Sequence, residues 1–285
     1  MKLMRVGDLG KECSAVSLRD GRVIDVSSVV DRYDGTWLGA GGLSELMTLL
    51  QKEPNKFPEI DMRGMRIGAP IARPGNILAI GLNYADHAAE AGMDVPTEPI
   101  LFAKAPSSFV GPNDTVLIPR TSMKTDWEIE LGVVVGKRVS YLPDTSSAMD
   151  YVAGYCIVND VSERDFQLNR GPTWIKGKSA ETFCPTGPWL VTCDEITDPQ
   201  NLDMKLSVND GVCQSGNTKT MIFDVAHLIW YLSQFLVLEA GDLIATGTPP
   251  GVGMGMKPPR YLKAGDIMDL EIEGLGKQRQ KVGQA

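Results

Sequence analysis

From about residue 73 onward, the chain is a succession of short apolar runs broken by Gly and Pro: NILAIG, PILFAK, TVLIP, EIELGVVVG, VAGYCIVND, GPWLVT, DMKLSVND, LIATGTPP and IMDLEIEG. Runs of this length, rich in Val, Ile and Leu and bounded by turn residues, predict strands. Helical spacing is confined here to SAMDYVAG and TMIFDVAHLIWYLSQFLVLEAG, the second predicted to close at Gly241 as a C-cap. Before residue 73 a smaller unit is expected: SAVSLRDGRVIDVSSVV alternates around the turn RDGR, and LSELMTLLQK has helical periodicity. Pro70, Pro74 and Gly75 punctuate the join, so the expected division is 1–72 and 73–285. The pattern predicts a β-dominated α+β protein whose larger part forms a closed roll or barrel. No internal repeat modifies that picture.

Composition narrows the function. The chain has 285 residues, 43% of them hydrophobic and 22% charged, which is ordinary for a globular protein. A net charge of -8 argues against nucleic acid as the main partner, because phosphate binding requires a basic surface. The start MKLMRVGDLG lacks the apolar core of a signal peptide, and the longest apolar run, Leu228 to Leu238, is interrupted by Ser233 and Gln234. A cytoplasmic protein without membrane contact is therefore expected. Five scattered cysteines without a CxxC suit reduced, structural thiols.

Candidate chemistry begins in TDWEIELGVVVG, where Glu128 and Glu130 stand two apart at the mouth of an apolar strand. Residues so spaced share a strand face, and two close carboxylates raise each other's pKa or hold a cation. The bland reading is a solvated edge strand with two surface glutamates. A third carboxylate follows at the end of GYCIVNDVSERDFQ: Asp160 is either a helix N-cap or a further ligand for a hard cation such as Mg2+ or Mn2+. Arg164 and Gln167 are four and seven residues on, on the same helix side, placed for an anionic substrate. In GLNYADHAAEAG, Asn83 can cap a helix that Gly92 ends, and His87 and Glu90 stand at i and i+3. A carboxylate fixing an imidazole tautomer makes a general base; a surface histidine is the plain alternative. His227 reads as a core or interface residue. WIKGKSAETFCPTGP carries Lys176 and Lys178, suited to an oxyanion or to a solvated loop, and ATGTPPGVGMG lacks the spacing of a phosphate loop.

The order and spacing of GLNYADHAAE, ILFAKAPSSFVGP, DWEIELGVVVG, GYCIVNDVSERDFQ, KGKSAETFCPTGP and TGTPPGVG closely resemble the fumarylacetoacetate hydrolase family over residues 73 to 275. The resemblance implies a mixed β-roll with a small N-terminal domain, assembled as a homodimer. It places Mg2+ or Mn2+ on Glu128, Glu130 and Asp160, and a catalytic set on His87, Glu90 and Lys178. Substrate contacts fall on Arg164, Gln167, Thr248, Tyr84 and Lys104, with Lys176 less defined. The implied reaction is hydrolysis of the carbon-carbon bond of a 2,4-diketo acid. Within the family the chain is similar to a branch acting on 2,4-diketo-3-deoxy-L-rhamnonate, the same compound as the L-fuconate derivative, giving pyruvate and L-lactate. Some members of that branch carry a ureidoglycolate lyase label, which nothing in the motifs favours. Decarboxylation or isomerisation of 2-oxo diacids and general acylpyruvate hydrolysis are the competing activities; a non-enzymatic sugar-acid binder is the competing class.

Overall fold

The computed structural model describes every residue except 54 and 91–93, and every side chain outside these except those of residues 87–89. The β-dominated α+β reading holds: among the described residues an eleven-stranded sheet and a five-stranded sheet hold most of the strands. The main path of the larger sheet runs through Val23–Asp25, Cys13–Ser17, Lys2–Val6, Cys184–Thr192, Val152–Asn159, Ile129–Val135, Leu243–Ala245, Ile77–Gly81 and Ile100–Lys104, with Ile67–Gly68 paired to Lys2–Val6 and Phe109–Val110 to Cys184–Thr192 off that path. Lys2–Val6 pairs antiparallel with Cys184–Thr192, Leu3 opposite Leu190, so the N-terminal strands continue the same sheet. The smaller sheet is ordered Gly211–Asn217, Asp203–Val208, Ile267–Ile272, Gly276–Gln284 and Val116–Ile118.

Ile129–Val135 is buried throughout because both faces of its sheet are covered. Ile129, Leu131, Val133 and Val135 join the core that also contains Leu206, Met268 and Leu270 of the smaller sheet. Val134, with Cys156 and Val158 of the neighbouring strand, faces the other core, which includes Leu3, Tyr33 and Leu46. Glu128 and Glu130 have the parity of Val134. That alternation decides where the carboxylates point.

Two helix expectations fail for tertiary reasons. SAMDYVAG gives only a 3-10 turn, Ala148–Tyr151, after which Val152–Asn159 is drawn into the ladder between two other strands. The long pattern near residue 230 forms helix Val225–Ser233, capped by the Asp224 carboxylate accepting from the His227 amide at 2.7 Å. It stops well short of Gly241 because Leu238, fully buried, bridges to Val139 instead. Gly241 has φ +88 in the turn before Leu243–Ala245. The His227 ring is half-buried and stacked on Phe223, centroids 5.1 Å apart. LSELMTLLQK is helical within Gly42–Lys52, as expected.

Asn83 does not cap the helix Ala85–Glu90. Its side chain is fully buried, donates to the carbonyls of Phe223 at 2.9 Å and Thr246 at 2.8 Å, and accepts from the Phe223 amide at 2.8 Å. It bolts the exit of Ile77–Gly81 to two distant segments. The expected end of the helix at Gly92 lies outside the described residues. None of the described helices is long and apolar enough to cross a membrane.

Asn83→Ala strands the Phe223 amide and the Thr246 carbonyl, and should lower unfolding free energy by about 3 kcal/mol in urea titration. A change under about 0.5 kcal/mol, the scale of an ordinary surface substitution, would remove Asn83 from this role.

Candidate active site

In the antiparallel pair Ile129–Val135 and Val152–Asn159, Ile129 faces Asn159 and Glu130 faces Val158. One step beyond the ladder the Asp160 amide donates to the Glu128 carbonyl at 2.9 Å. Glu128, Glu130 and Asp160 thus leave the same face of adjacent strands. Each offers a carboxylate oxygen, and these oxygens lie within 4.8 Å of one another. Their exposures are 5%, 1% and 0%, so the solvated edge strand is ruled out. Asp160 is not an N-cap either: Glu163 caps helix Arg164–Leu168, accepting from the Asp165 amide at 3.0 Å.

Buried like charges of this kind need compensation. Lys178, at the end of the short helix Ile175–Lys178, donates from Nζ to Glu128 Oε2 at 2.7 Å and Asp160 Oδ2 at 2.6 Å. Lys104, closing the strand Ile100–Lys104, pairs with Asp160 and donates to the Val161 carbonyl at 3.2 Å. Arg164 donates from Nε to Asp126 Oδ2 at 2.9 Å and from Nη1 to Gln167 Oε1 at 3.1 Å, with Nη1 also 2.7 Å from Glu128 Oε1. Among the described side chains four carboxylates, Asp126 included, face three cations, a formal excess of one negative charge when all of them are ionised.

The excess concentrates on Glu130. Burial first, then the Asp160 and Glu128 carboxylates, push its pKa well above the ordinary value, against the pull of Lys178 and of the Gly247 amide, which donates to its Oε2 at 2.8 Å. Burial works to neutralise Lys178 and Arg164, but Asp160 and Glu128 around the lysine, and Glu128 and Asp126 around the guanidinium, raise both pKa values. Cys184 is a poor nucleophile, its thiol pushed up to about 11 chiefly by burial. Three converging carboxylates with a charge deficit and no sulfur or described imidazole donor fit a hard divalent cation of the Mg2+ or Mn2+ kind.

A cavity of about 260 Å3 opens onto this cluster, lined on its polar side by Glu128, Glu130, Arg164, Gln167, Lys178 and Thr248. Arg164 Nη2 is buried there without a hydrogen-bond partner, alone among the described side chains. A stranded guanidinium N–H on a residue that lines a cavity is a group that an incoming carboxylate or oxyanion could satisfy. The Thr248 hydroxyl donates to the Ile129 carbonyl at 2.8 Å and accepts from Gln214 Nε2 at 2.7 Å, which fixes the turn that follows Leu243–Ala245. A larger open groove of about 910 Å3, lined by residues such as Met123, Arg260, Tyr261 and Lys263, contains no acid or histidine and offers no comparable chemistry.

The remaining expected residues are placed differently. Tyr84 is fully buried, its hydroxyl donating to Met204 Sδ at 3.3 Å, and Lys104 lies behind Asp160; neither lines the cavity. Lys176 is exposed. Glu90 accepts from the Gly251 amide with both oxygens at 3.0 Å, tying its helix to the Gly/Pro turn. The side chain of His87 lies outside the described residues. One residue was overlooked: fully buried Asp126 accepts from Arg164, from the Gly253 amide at 2.7 Å and from the Met254 amide at 2.9 Å. Its position two before Glu128 was the available signal, an acid at every second residue of one strand face.

Similarity to known proteins gives this site context. The family model described as fumarylacetoacetate (FAA) hydrolase C-terminal matches residues 76–283. A Burkholderia multivorans protein provisionally named a hydrolase is 54% identical over 281 residues, 98% of either chain. The crystal structure of a probable 2-hydroxyhepta-2,4-diene-1,7-dioate isomerase from Mycobacterium abscessus superposes with TM-score 0.80 at 34% identity, covering 100% of this chain and 99% of that one. Maleylpyruvate hydrolase from Sphingobium sp. SYK-6, in complex with manganese(II) and pyruvate, superposes with TM-score 0.83 at 27% identity over 100% of both. The mixed-sheet fold expected from the sequence is the fold of these neighbours.

Lys178→Met leaves Glu128 and Asp160 short of a partner and should cost about 3–5 kcal/mol of unfolding free energy in EDTA. Glu130→Gln should do the opposite. A carboxyl whose pKa is higher in the folded chain than in the unfolded one favours folding at low pH, and that contribution is lost as pH rises through the folded value. Urea titrations in EDTA should therefore show the wild type losing stability above the ordinary glutamate range and Glu130→Gln losing less. Parallel pH profiles would sink this account of the charge excess.

Proposed function

Since the chain belongs to the fumarylacetoacetate hydrolase family, we propose that it is a divalent-metal-dependent hydrolase that cleaves the carbon-carbon bond of a 2,4-diketo acid. The observation that carries this reading is the buried triad Glu128, Glu130 and Asp160 beside a cavity lined by Lys178 and by Arg164, whose Nη2 is buried and unpartnered. Mg2+ or Mn2+ held by the three carboxylates would supply Lewis-acid polarisation of the 2-oxo acid end, in keeping with the manganese and pyruvate bound by the maleylpyruvate hydrolase neighbour.

The protein's own groups divide the remaining work. Arg164 takes the substrate carboxylate with Nη2, and its bonds to Asp126 and Glu128 fix the fork. His87, oriented by Glu90, removes a proton from water as the oxygen attacks the C4 carbonyl. Lys178 and the Gln167 amide stabilise the oxyanion formed at C4. The C3–C4 bond then breaks, its electron pair passing to C3, which is protonated to give pyruvate while the acyl half leaves as a carboxylic acid. The preferred substrate on this reading is 2,4-diketo-3-deoxy-L-rhamnonate, giving pyruvate and L-lactate. Lys104 acts by positioning Asp160, and Tyr84 by packing. A cytoplasmic homodimer with residues 1–72 as an accessory unit belongs to the same proposal. The isomerase neighbour keeps a second reading in view, in which the same 2-oxo acid site rearranges or decarboxylates a diacid without hydrolysis.

Pyruvate release from a panel of 2,4-diketo acids with Mg2+ tests the reaction and the branch together. Preference for the 5-hydroxyhexanoate form is expected, with Glu128→Gln and Glu130→Gln each losing activity at least about a hundredfold, in step with lost metal affinity. Equal rates across plain acylpyruvates would remove the deoxy-sugar substrate, and faster oxaloacetate decarboxylation than cleavage would favour the second reading. His87→Ala should retain metal and lose turnover by about 100- to 10,000-fold; near wild-type turnover would assign the base elsewhere.

A further inference from the structure

Beyond its polar groups, the cavity lining carries no charge. Leu82, Phe102, Leu168, Trp174 and Met254 line it. Trp174 packs edge-on against Phe102, ring centroids 5.2 Å apart, and lies so close to the strand Ile77–Gly81 that a Cβ on Gly81 would be 2.6 Å from its ring. The Phe102 ring also holds Lys178 Nζ at 4.9 Å from its centroid, so the aromatic wall begins where the charged floor ends. The two cations on the lining already face the protein's own acids, Arg164 those of Asp126 and Glu128 and Lys178 those of Glu128 and Asp160, and what they have left goes to the 2-oxo acid end and the C4 oxyanion. Arg170, just beyond Leu168, is 2.7 Å from Asp165 and stacks on Phe166. Among the described lining residues nothing is left to neutralise a second carboxylate.

We propose that this wall is the acyl subsite, with Trp174, Phe102 and Leu168 as its specificity-determining residues, and that it selects 2,4-diketo monoacids with an uncharged, hydrocarbon-bearing tail over diacids. The inference rests on the 2-oxo acid reading of the site given above. Maleylpyruvate and the heptadienedioate named for the two neighbours are both diacids, so the chain differs from them in substrate charge while sharing their fold. A tail carboxylate driven against Trp174 and Leu168 would lose its water and gain no partner, whereas a methyl or methylene there is buried favourably.

The test compares two 2-oxo acids of equal length, 2-oxopentanoate and 2-oxoglutarate, which differ in a terminal methyl against a carboxylate. Their affinities for the Mn2+-loaded protein are measured by calorimetry, with oxalate as a probe of the chelating end alone. The expected result is tighter binding of 2-oxopentanoate by on the order of a hundredfold. Leu168→Arg, at a position 47% exposed, should tighten 2-oxoglutarate by about tenfold and leave oxalate unchanged. Equal or tighter binding of 2-oxoglutarate by the wild type overturns the subsite, and this comparison stands even where the arginine variant fails to fold. Oxalate binding without discrimination between the pair defeats the subsite alone; absence of oxalate binding defeats the 2-oxo acid reading and the subsite with it.

Discussion

Everything at the centre of this molecule is arranged around the problem of keeping several carboxylates out of water. Asp126, Glu128, Glu130 and Asp160 are buried along two neighbouring stretches of chain, and no packing of apolar side chains can compensate them. Lys104, Lys178 and Arg164 arrive from three separate segments to do so, each touching at least one acid. Among the described groups the compensation is formally one charge short. A fully neutral network would be a structural device, whereas a buried triad with such a shortfall could hold a metal ion.

The sheets make such a cluster tolerable. The strand Ile129–Val135 is held on both sides by ladder partners and covered on both faces by separate apolar cores. Its end has little freedom to relax outward, so Glu128 and Glu130 stay where their mutual repulsion is felt. The 128–130 strand and the 158–160 strand are antiparallel and in register, which brings their ends to the same level. Moving one strand by a single residue would turn its own carboxylates to the opposite core and break up the set.

How much of this could be read beforehand follows from the same geometry. The Glu128, Glu130 and Asp160 set was visible because two-residue alternation needs only the strand assignment, and the strands were marked by unambiguous apolar runs. Asp126 obeyed the same alternation and was missed because a carboxylate that binds only the protein's own amides and arginine has no signature of its own. Lys104 was expected at the substrate, yet it pairs opposite Ile77 at the inner end of its strand, one carboxylate too deep. The wall of Phe102, Leu168 and Trp174 had no signal at all, since its members are far apart in sequence and meet only in the fold. The helix at Val225 was overextended because Leu238 satisfies a helical pattern and a bridge to Val139 equally well, and only the tertiary contact decides.

The turn fastened by Asp126 bears on how such a protein can diversify. A side chain on Gly253 would place its Cβ 1.9 Å from the Arg260 carbonyl and 2.7 Å from Asp126 Oδ1. The adjoining Gly251 amide is already spent on Glu90. Gly253 is therefore closed to mutational exploration, because a side chain there disturbs Asp126 and with it the fork of Arg164. Leu168, partly open to solvent, carries no such obligation. A lineage built on this scaffold can therefore change its diet through a few residues of one wall while inheriting its reaction intact from the other.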